Sequence, residues 1–455
     1  MPGEHLTRDL VGTPDAYRAL YYTDGRRSDH GWLDSFGDAM LTELVSEAIQ
    51  RNYNLAQSAA VRAQVLSSLR IARSALLPRL DALGTMERDE DSRGSEEILR
   101  LELELSWEAD LWGRVRAGQM AAEQGALATV FEYEHLRQSL ASLVAEAWFT
   151  SIAARRQMII DLERVESEQE TASVAASRAE AGAGELIAND FAQSNLAFAE
   201  ELLAASESAY QESRRALELL LGRYPGAAIE ATAELPDLPD MPAPGVPAEL
   251  LERRPDLVAA EARVAAAFHH VQAARLARLP RLRLTAAAGT EWNPATGVWT
   301  LAADLFAPLF SGYEISAAIE VADARQRAAM AAYVETALHA FHDVESAMSG
   351  EMYLERRSRA INLALERLAS ANRRAEARYR AGVMTIFEFN QVRQNYFRAQ
   401  SQIIAIDLDR LRQRLRLHLA LGGSFEESFR SLDDLEPWID RVTAGRTVRM
   451  EAKDE

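Results

Sequence analysis

The residues of this 455-residue chain best spaced for chemistry are His339 and His342, three apart with Asp343 adjacent, a helical spacing that can hold a metal ion. Long charged helices produce such pairs by chance, and no metal site is assigned to them. His269 and His270 are consecutive and point to different sides of a helix. Glu102, Glu104 and Glu108 offer carboxylates for acid–base work, yet they fall on the polar face of an alternating segment, where they more simply line water. No phosphate loop, nucleophile elbow or zinc-protease helix is present. The chain has no cysteine, which removes disulfides, thiolate metal sites and thiol nucleophiles. No catalytic residue and no cofactor is therefore assigned, and the chain reads as something other than an enzyme.

If function does not sit in a reactive cluster, it must come from the elements. The first fact about them is a duplication. Ala72-Arg73-Ser74-Ala75-Leu76-Leu77-Pro78-Arg79-Leu80 is echoed by Ala274-Arg275-Leu276-Ala277-Arg278-Leu279-Pro280-Arg281-Leu282. Asn54-Leu55 matches Asp256-Leu257, and Ala181-Gly182 matches Ala381-Gly382. Such self-similarity predicts one pseudo-symmetric structure. Its parts are a polar segment over 1–30, a first repeat over 31–222, a Pro-rich linker over 223–250, a second repeat over 251–423 and a polar tail over 424–455 placed outside the helical body.

Each repeat carries a helix, a strand hairpin and a long helical hairpin. The long tracts run from about Gly113 to Ala181 and from about Tyr313 to Ala381, free of Pro, with return helices from about Leu186 to Leu221 and Thr385 to Leu421. Leu136, Leu140, Leu143 and Ala147 set an apolar stripe in the first, and Phe341, Val344 and Met348 in the second. At 1.5 Å per residue each tract is on the order of 100 Å long, too long to fold into a compact core.

The strand hairpins are expected at about 79–110 and 281–309, with turns at Asp89–Ser95 and Asn293–Gly297. Leu99, Leu101, Leu103, Leu105 and Trp107 alternate with Arg100, Glu102, Glu104, Ser106 and Glu108. In the second copy Leu282, Leu284, Ala286 and Ala288 alternate with Arg281, Arg283, Thr285 and Ala287. Alternation by itself suits a half-buried soluble sheet as well as a membrane strand. Strands of roughly ten residues and tryptophans at both ends favour the membrane: Trp292 and Trp299 flank one turn, and Trp107 and Trp112 mark the opposite end. Arg100, Glu102, Glu104, Arg281 and Arg283 then line a lumen. Four strands cannot close a barrel, so several chains must contribute to one sheet.

Charge and hydropathy agree with this. A net charge of −19 argues against a nucleic-acid partner and suits a water-filled passage that favours cations. Residues 1–30 lack the apolar core of a secretory signal, and no run reaches the length of a membrane helix.

Five motifs carry a family resemblance. They are Gly31-Trp32-Leu33-Asp34-Ser35-Phe36-Gly37-Asp38, Ser106-Trp107-Glu108-Ala109-Asp110-Leu111-Trp112-Gly113-Arg114, Leu251-Glu252-Arg253-Arg254-Pro255-Asp256-Leu257, Pro308-Leu309-Phe310-Ser311-Gly312 and Tyr379-Arg380-Ala381-Gly382. From about Gly31 to Gly423 the chain resembles the outer-membrane efflux proteins of Gram-negative bacteria, the TolC-like family, in its NodT-type branch for drug and metal efflux. The resemblance implies a mainly α fold with a small β part. In such a homotrimer each chain gives four strands to a transmembrane β-barrel, and its long hairpins form an α-barrel across the periplasm. It also implies a passive conduit in the bacterial outer membrane, joined by a periplasmic adaptor protein to an inner-membrane pump of the proton-driven RND type. A constriction is expected at the second hairpin tip. There the family often places an aspartate where this chain has Gln391, beside Asn390. Glu388 is the nearest acid, and Arg393 is placed to bridge to a neighbouring helix. Relatives of this branch often carry a lipidated amino-terminal cysteine, which this sequence lacks. Two other readings stay open: a channel for type I protein secretion, and a soluble coiled-coil scaffold.

Overall fold

The computed structural model describes residues 13, 17–18, 31–91, 94–182, 185–242, 247–292 and 296–423. The tail at 424–455 and most of the segment 1–30 fall outside the described residues. A 3-10 turn at Trp32–Phe36 leads into α1 (Ala39–Arg51) and α2 (Tyr53–Ser74). Strands β1 (Arg79–Asp91) and β2 (Gly94–Ala109) follow, then α3 (Arg114–Glu180) and α4 (Leu186–Leu220). The second half repeats the order with α5 (Pro247–Arg253), α6 (Pro255–Leu276), β3 (Arg281–Trp292), β4 (Thr296–Phe306), α7 (Glu314–Arg380) and α8 (Ile386–Ala420).

The duplication is visible in the lengths. α3 and α7 each have 67 residues, α4 and α8 each 35, and α2 and α6 each 22. Equal lengths put equivalent junctions at equivalent levels, and the junctions use equivalent bonds. Asn52 caps α2 through the Leu55 N–H and donates from Nδ2 to the Leu220 carbonyl at 2.8 Å, clipping α2 to the end of α4. In the second half Arg254 takes this place, donating to the Ala420 carbonyl at 3.5 Å and to Asp256 and Asp343. Gly222 and Gly422 end the two return helices at φ of 72° and 74°. A Cβ there would stand 2.6 Å and 3.1 Å from the carbonyl oxygens of Arg51 and Arg253, so glycine is needed for the backbone to close.

Some bounds differ from the sequence reading. Helix α5 begins inside the expected linker because Pro247 opens it, a residue preset for a first helical turn. The strands are longer than ten residues: 13, 16, 12 and 11. Pairing continues through charged residues to Asp91 and Gly94, which narrows the first turn. Leu143 was expected in the buried stripe of α3 but is 52% exposed, while Ala141, Val144, Ala145 and Trp148 fill the core. Over 67 residues a straight helix drifts away from a fixed seven-residue repeat, so the buried stripe cannot stay on one set of positions.

The sheet order is β1-β2-β3-β4, all antiparallel. The helices beneath continue that order: α2 packs on α3, α3 on α6 and α6 on α7, while toward the hairpin tips α4 packs on α3, α3 on α8 and α8 on α7. The main core lies where α1, the 3-10 turn, α3, α4 and α8 meet, around Trp148, Phe149, Phe36 and Leu415. A separate small cluster at the tips gathers Ala175, Ala192, Tyr379 and Phe389.

Candidate channel walls and constriction

The pairing register decides which side chains share a face. Leu80, Ala82 and Met86 of β1 lie opposite Leu105, Leu103 and Leu99 of β2. Leu101, Leu103 and Leu105 oppose Thr290, Ala288 and Ala286 of β3, and those continue to Gly297, Trp299 and Leu301 of β4. One face is therefore apolar across all four strands. Most of it is exposed, although Leu282 and Leu284 are half-buried: Leu99, Leu101, Leu103 and Leu105 are 40–54% exposed, and Trp299 and Leu301 are 80% and 75%. A water-soluble sheet hides such a face, since large contiguous apolar patches are rare on soluble monomers. Trp107 and Trp292 lie on this face near its two ends, and Trp299, opposite Ala288, lies between them.

The opposite face carries Arg100, Glu102, Glu104, Arg281 and Arg283 together with Asp81, Glu291 and Asp304. Arg100 donates to its cross-strand partner Glu291 at 2.8 Å. The alternation read from sequence thus becomes two continuous walls, one apolar and one ionic.

Trp112 lies beyond β2 rather than on it. Its Nε1 donates to the Pro280 carbonyl at 2.7 Å, and Trp107 Nε1 donates to the Leu76 carbonyl at 3.0 Å, so both indoles tie the helix ends to the strand starts. Asp110 accepts from the Val115 and Arg116 N–H groups at the start of α3. Burial pushes its carboxyl up, but those donors and the Arg116 side chain outweigh it and hold the pKa below the ordinary value. The 106–114 motif is a device that turns a strand into a long helix.

At the second hairpin tip the four candidate residues separate by burial. Glu388 and Gln391 are exposed, whereas Asn390 and Arg393 are only 4% and 1% exposed. Glu388 completes a capping box with Thr385, accepting from its N–H at 3.0 Å and its hydroxyl at 2.9 Å. Those bonds hold the Glu388 carboxyl below its ordinary pKa. Arg393 reaches from α8 into α3 of the same chain, where it pairs with Glu168 and donates to Thr171 Oγ1 at 2.5 Å and the Ser167 carbonyl at 3.3 Å. Burial pushes Glu168 up and Arg393 down, each toward its neutral form, against their mutual attraction. The Arg393 guanidinium also lies 4.6 Å from the Phe389 ring centre. This buried clamp joins the two hairpins of one protomer. Sequence gave Arg393 a helix partner but not its identity, because α3 offers five carboxylates between Asp161 and Glu170 and only packing selects Glu168.

The paired histidines and Asp343 have other neighbours. The carboxylate of Asp343 binds Arg254 at 3.0 Å, and His342 lies 3.4 Å from Ser346 Oγ. His269 lies 3.2 Å from Gln272. Among the described residues no group of three or more His, Cys, Asp or Glu side chains is placed to hold a metal. No helix among the described residues is long and apolar enough to cross a membrane.

A family model described as outer membrane efflux protein matches residues 44–223 and 246–423. The chain belongs to the outer membrane efflux protein family. It is 30% identical over 418 residues to the pyoverdine export outer membrane protein OpmQ of Pseudomonas putida, covering 88% of this chain and 89% of that one. It is 24% identical over 404 residues to the cation efflux system protein CusC of Escherichia coli, covering 86% and 88%. Among solved structures, the open state of the Neisseria gonorrhoeae MtrE outer membrane channel superposes with a TM-score of 0.82 at 27% identity, over 92% of this chain and 98% of that one. A membrane protein from Pseudomonas aeruginosa gives 0.83 at 27% identity, over 90% and 98%. The family is one of channel proteins, and the mainly helical, four-stranded fold expected from sequence is the fold these neighbours share.

Proposed function

We propose that this chain is the outer-membrane channel of a tripartite efflux system. Three copies close their sheets into one barrel, and the helical bodies form a tunnel through the periplasm. The carrying observation is the inverted sheet: its apolar face is exposed, its other face is ionic, and strands β1 and β4 end it with free edges. In hydrocarbon an unpaired backbone N–H or C=O costs several kcal/mol, so the edges must pair, β4 of one copy with β1 of the next. The ionic face then lines water, and Trp107, Trp112, Trp292 and Trp299 stand at membrane–water interfaces.

A passive conduit needs an energised partner, and we assign one as an inner-membrane pump of the proton-driven RND type reached through a periplasmic adaptor protein. The names of the relatives, pyoverdine export and cation efflux, support small-molecule or metal-ion cargo over secreted protein. The second hairpin tip is the proposed constriction. Glu388 and Gln391 are its exposed polar groups, and Arg393 on Glu168 fixes the helix that carries them. Expression in a Gram-negative host followed by separation of the membranes tests this reading. It predicts protein in the outer-membrane fraction, extractable only by detergent. Recovery in the soluble fraction without detergent would favour the coiled-coil scaffold.

A further inference from the structure

In a chain of net charge −19, two stretches carry no acid at all. Residues 48–80 and 262–290 contain five arginines each and not one Asp or Glu. They are equivalent in the duplication: each covers most of a helix, α2 or α6, and crosses the junction into a strand, β1 or β3. The ten arginines divide by position. Arg79, Arg281 and Arg283 start the strands on the ionic face. Arg51, Arg62 and Arg263 belong to the helical body, where Arg51 pairs with Glu47, Arg62 is buried over the Tyr133 ring and Arg263 pairs with Glu132.

The other four, Arg70, Arg73, Arg275 and Arg278, gather at the rim where helix gives way to strand. At 1.5 Å per residue they lie within about 6 Å of the ends of α2 and α6. Arg275 reaches Asp323 of α7 at 3.0 Å. Arg70 and Arg278 are exposed, and among the described residues no carboxylate pairs with either.

Each pair of arginines stands beside an indole. Trp107 donates to the carbonyl of Leu76, three residues past Arg73, and Trp112 donates to the carbonyl of Pro280, two residues past Arg278. Leu77 and Leu111, next to these contacts, are 66% and 57% exposed. Trp107 belongs to the apolar wall, so that wall runs without a break from the leucines of β2 to the indoles and meets the arginines there. An aromatic at the edge of an apolar band with arginine just beyond it is the pattern of a bilayer interface. The aliphatic stem lies along acyl chains while the guanidinium reaches the phosphate layer.

We propose that this rim binds anionic phospholipid, with Arg70 and Arg278 taking headgroup phosphates of the leaflet that faces the periplasm. The inference rests on the outer-membrane reading above and adds to it the chemistry of the lipid. Charge complementarity favours anionic over zwitterionic headgroups. No acid along either stretch competes for the guanidinium groups, and a guanidinium holds a phosphate through two parallel hydrogen bonds. The chain as a whole repels anions, so a preference for them must come from a local cluster. A neighbouring copy would cover the outer helices α2 and α7 of the row but not α6, which already has α3 on one side and α7 on the other. Arg278 therefore stays open to lipid in a closed ring.

Tryptophan fluorescence of the full chain in phosphatidylcholine vesicles tests this. Trp292→Phe with Trp299→Phe silences the indoles further from the junction and leaves Trp107 and Trp112 to report. A small fraction of the lipid is then replaced by phosphatidylglycerol with brominated acyl chains, or in a matched sample by phosphatidylcholine with the same chains. The glycerol lipid should quench more strongly, with a preference of about fivefold for each arginine, the equivalent of about 1 kcal/mol. The preference should fall toward one at about 1 M salt, where charges are screened beyond about 3 Å. Arg70→Gln with Arg278→Gln should abolish it and leave quenching by the choline lipid unchanged. Arg70→Lys with Arg278→Lys keeps the charge and should keep most of the preference. Arg356→Gln with Arg367→Gln, which removes exposed charge far along α7, should keep all of it. Equal quenching by the two lipids in the parent, or a preference that survives the glutamine pair, overturns the headgroup assignment and leaves the barrel standing. No quenching by either lipid puts the indoles outside the bilayer and overturns the barrel and the lipid site together.

Discussion

Replacing Arg393 with methionine should loosen the hairpin tips without disturbing the body of the protein. The arginine and its partner Glu168 are 1% and 2% exposed, so the substitution leaves a buried carboxylate without its paired cation, with only the Arg164 charge still acting on it. Breaking a buried pair from one side costs about 3–5 kcal/mol, whereas replacing both members with apolar side chains of similar volume is near neutral. Half of the buried residues in the tip cluster that must absorb this loss are alanines, with Tyr379, Ile386, Phe389 and Leu196 as its large buried side chains among the described residues. A loss of about 3 kcal/mol corresponds to a rise of about a hundredfold in the open tip, at tenfold per 1.4 kcal/mol. Hydrogen exchange read by mass spectrometry should show that loss of protection in peptides from α3, α4, α7 and α8 near the tips. Peptides around Trp148 and Phe149 should be unchanged. The defect should shrink as pH falls into the carboxylate range, because burial already raises the Glu168 pKa and protonation removes the stranded charge. Arg393→Met with Glu168→Leu should recover most of the protection. A double variant as loose as the single one, or a single variant as tight as the parent, would refute the clamp.

Three further outcomes follow from other junctions. His418 packs against Trp32 with ring centres 5.9 Å apart, and burial, then Arg414, lowers its pKa to about 4. Its folded pKa lies below the ordinary value of 6.5, so its contribution to stability is complete above that value and is lost as pH falls toward 4. The loss amounts to about 3 kcal/mol at most, and His418→Phe should flatten that stretch of a Tm-against-pH curve. Asn52→Ala removes both the cap on α2 and the clip to Leu220, and should cost about 1–2 kcal/mol in thermal or denaturant unfolding. Gly113 and Tyr313 occupy the same left-handed position before α3 and α7, at φ of 83° and 70°. Tyr313→Gly should therefore stabilise by about 1 kcal/mol and Gly113→Ala destabilise by a similar amount in the same assay.

Much of this architecture was legible because the chain repeats itself. The matched Ala-Gly pairs at 181 and 381 mark the ends of two helices of equal length, and period-two runs marked the strands whose pairing later aligned Leu103 with Ala288 and Ala288 with Trp299. Alternation fixes which residues share a face of a strand, and a sheet propagates that assignment through its register. Helix faces were less readable. Over 67 residues the buried stripe rotates, so Leu143 came out exposed and Val144 buried. At the second hairpin tip the residue types suggested four candidates close together, Glu388, Asn390, Gln391 and Arg393, but one helical turn presents neighbours in different directions. Glu388 and Gln391 face water while Asn390 and Arg393 are buried, Arg393 against α3. The partner of Arg393 lies 225 residues away and was set by how two long helices pack, which no local pattern encodes.

The most direct test of the channel claim is single-channel conductance after reconstitution of the purified full chain into planar bilayers, with Glu388→Gln and Arg393→Met beside the parent. The account predicts stable unitary pores from a three-chain assembly and a larger conductance or longer openings in Arg393→Met. Protein that stays soluble and never conducts, or pores unaffected by either variant, would contradict the barrel in the first case and the constriction in the second.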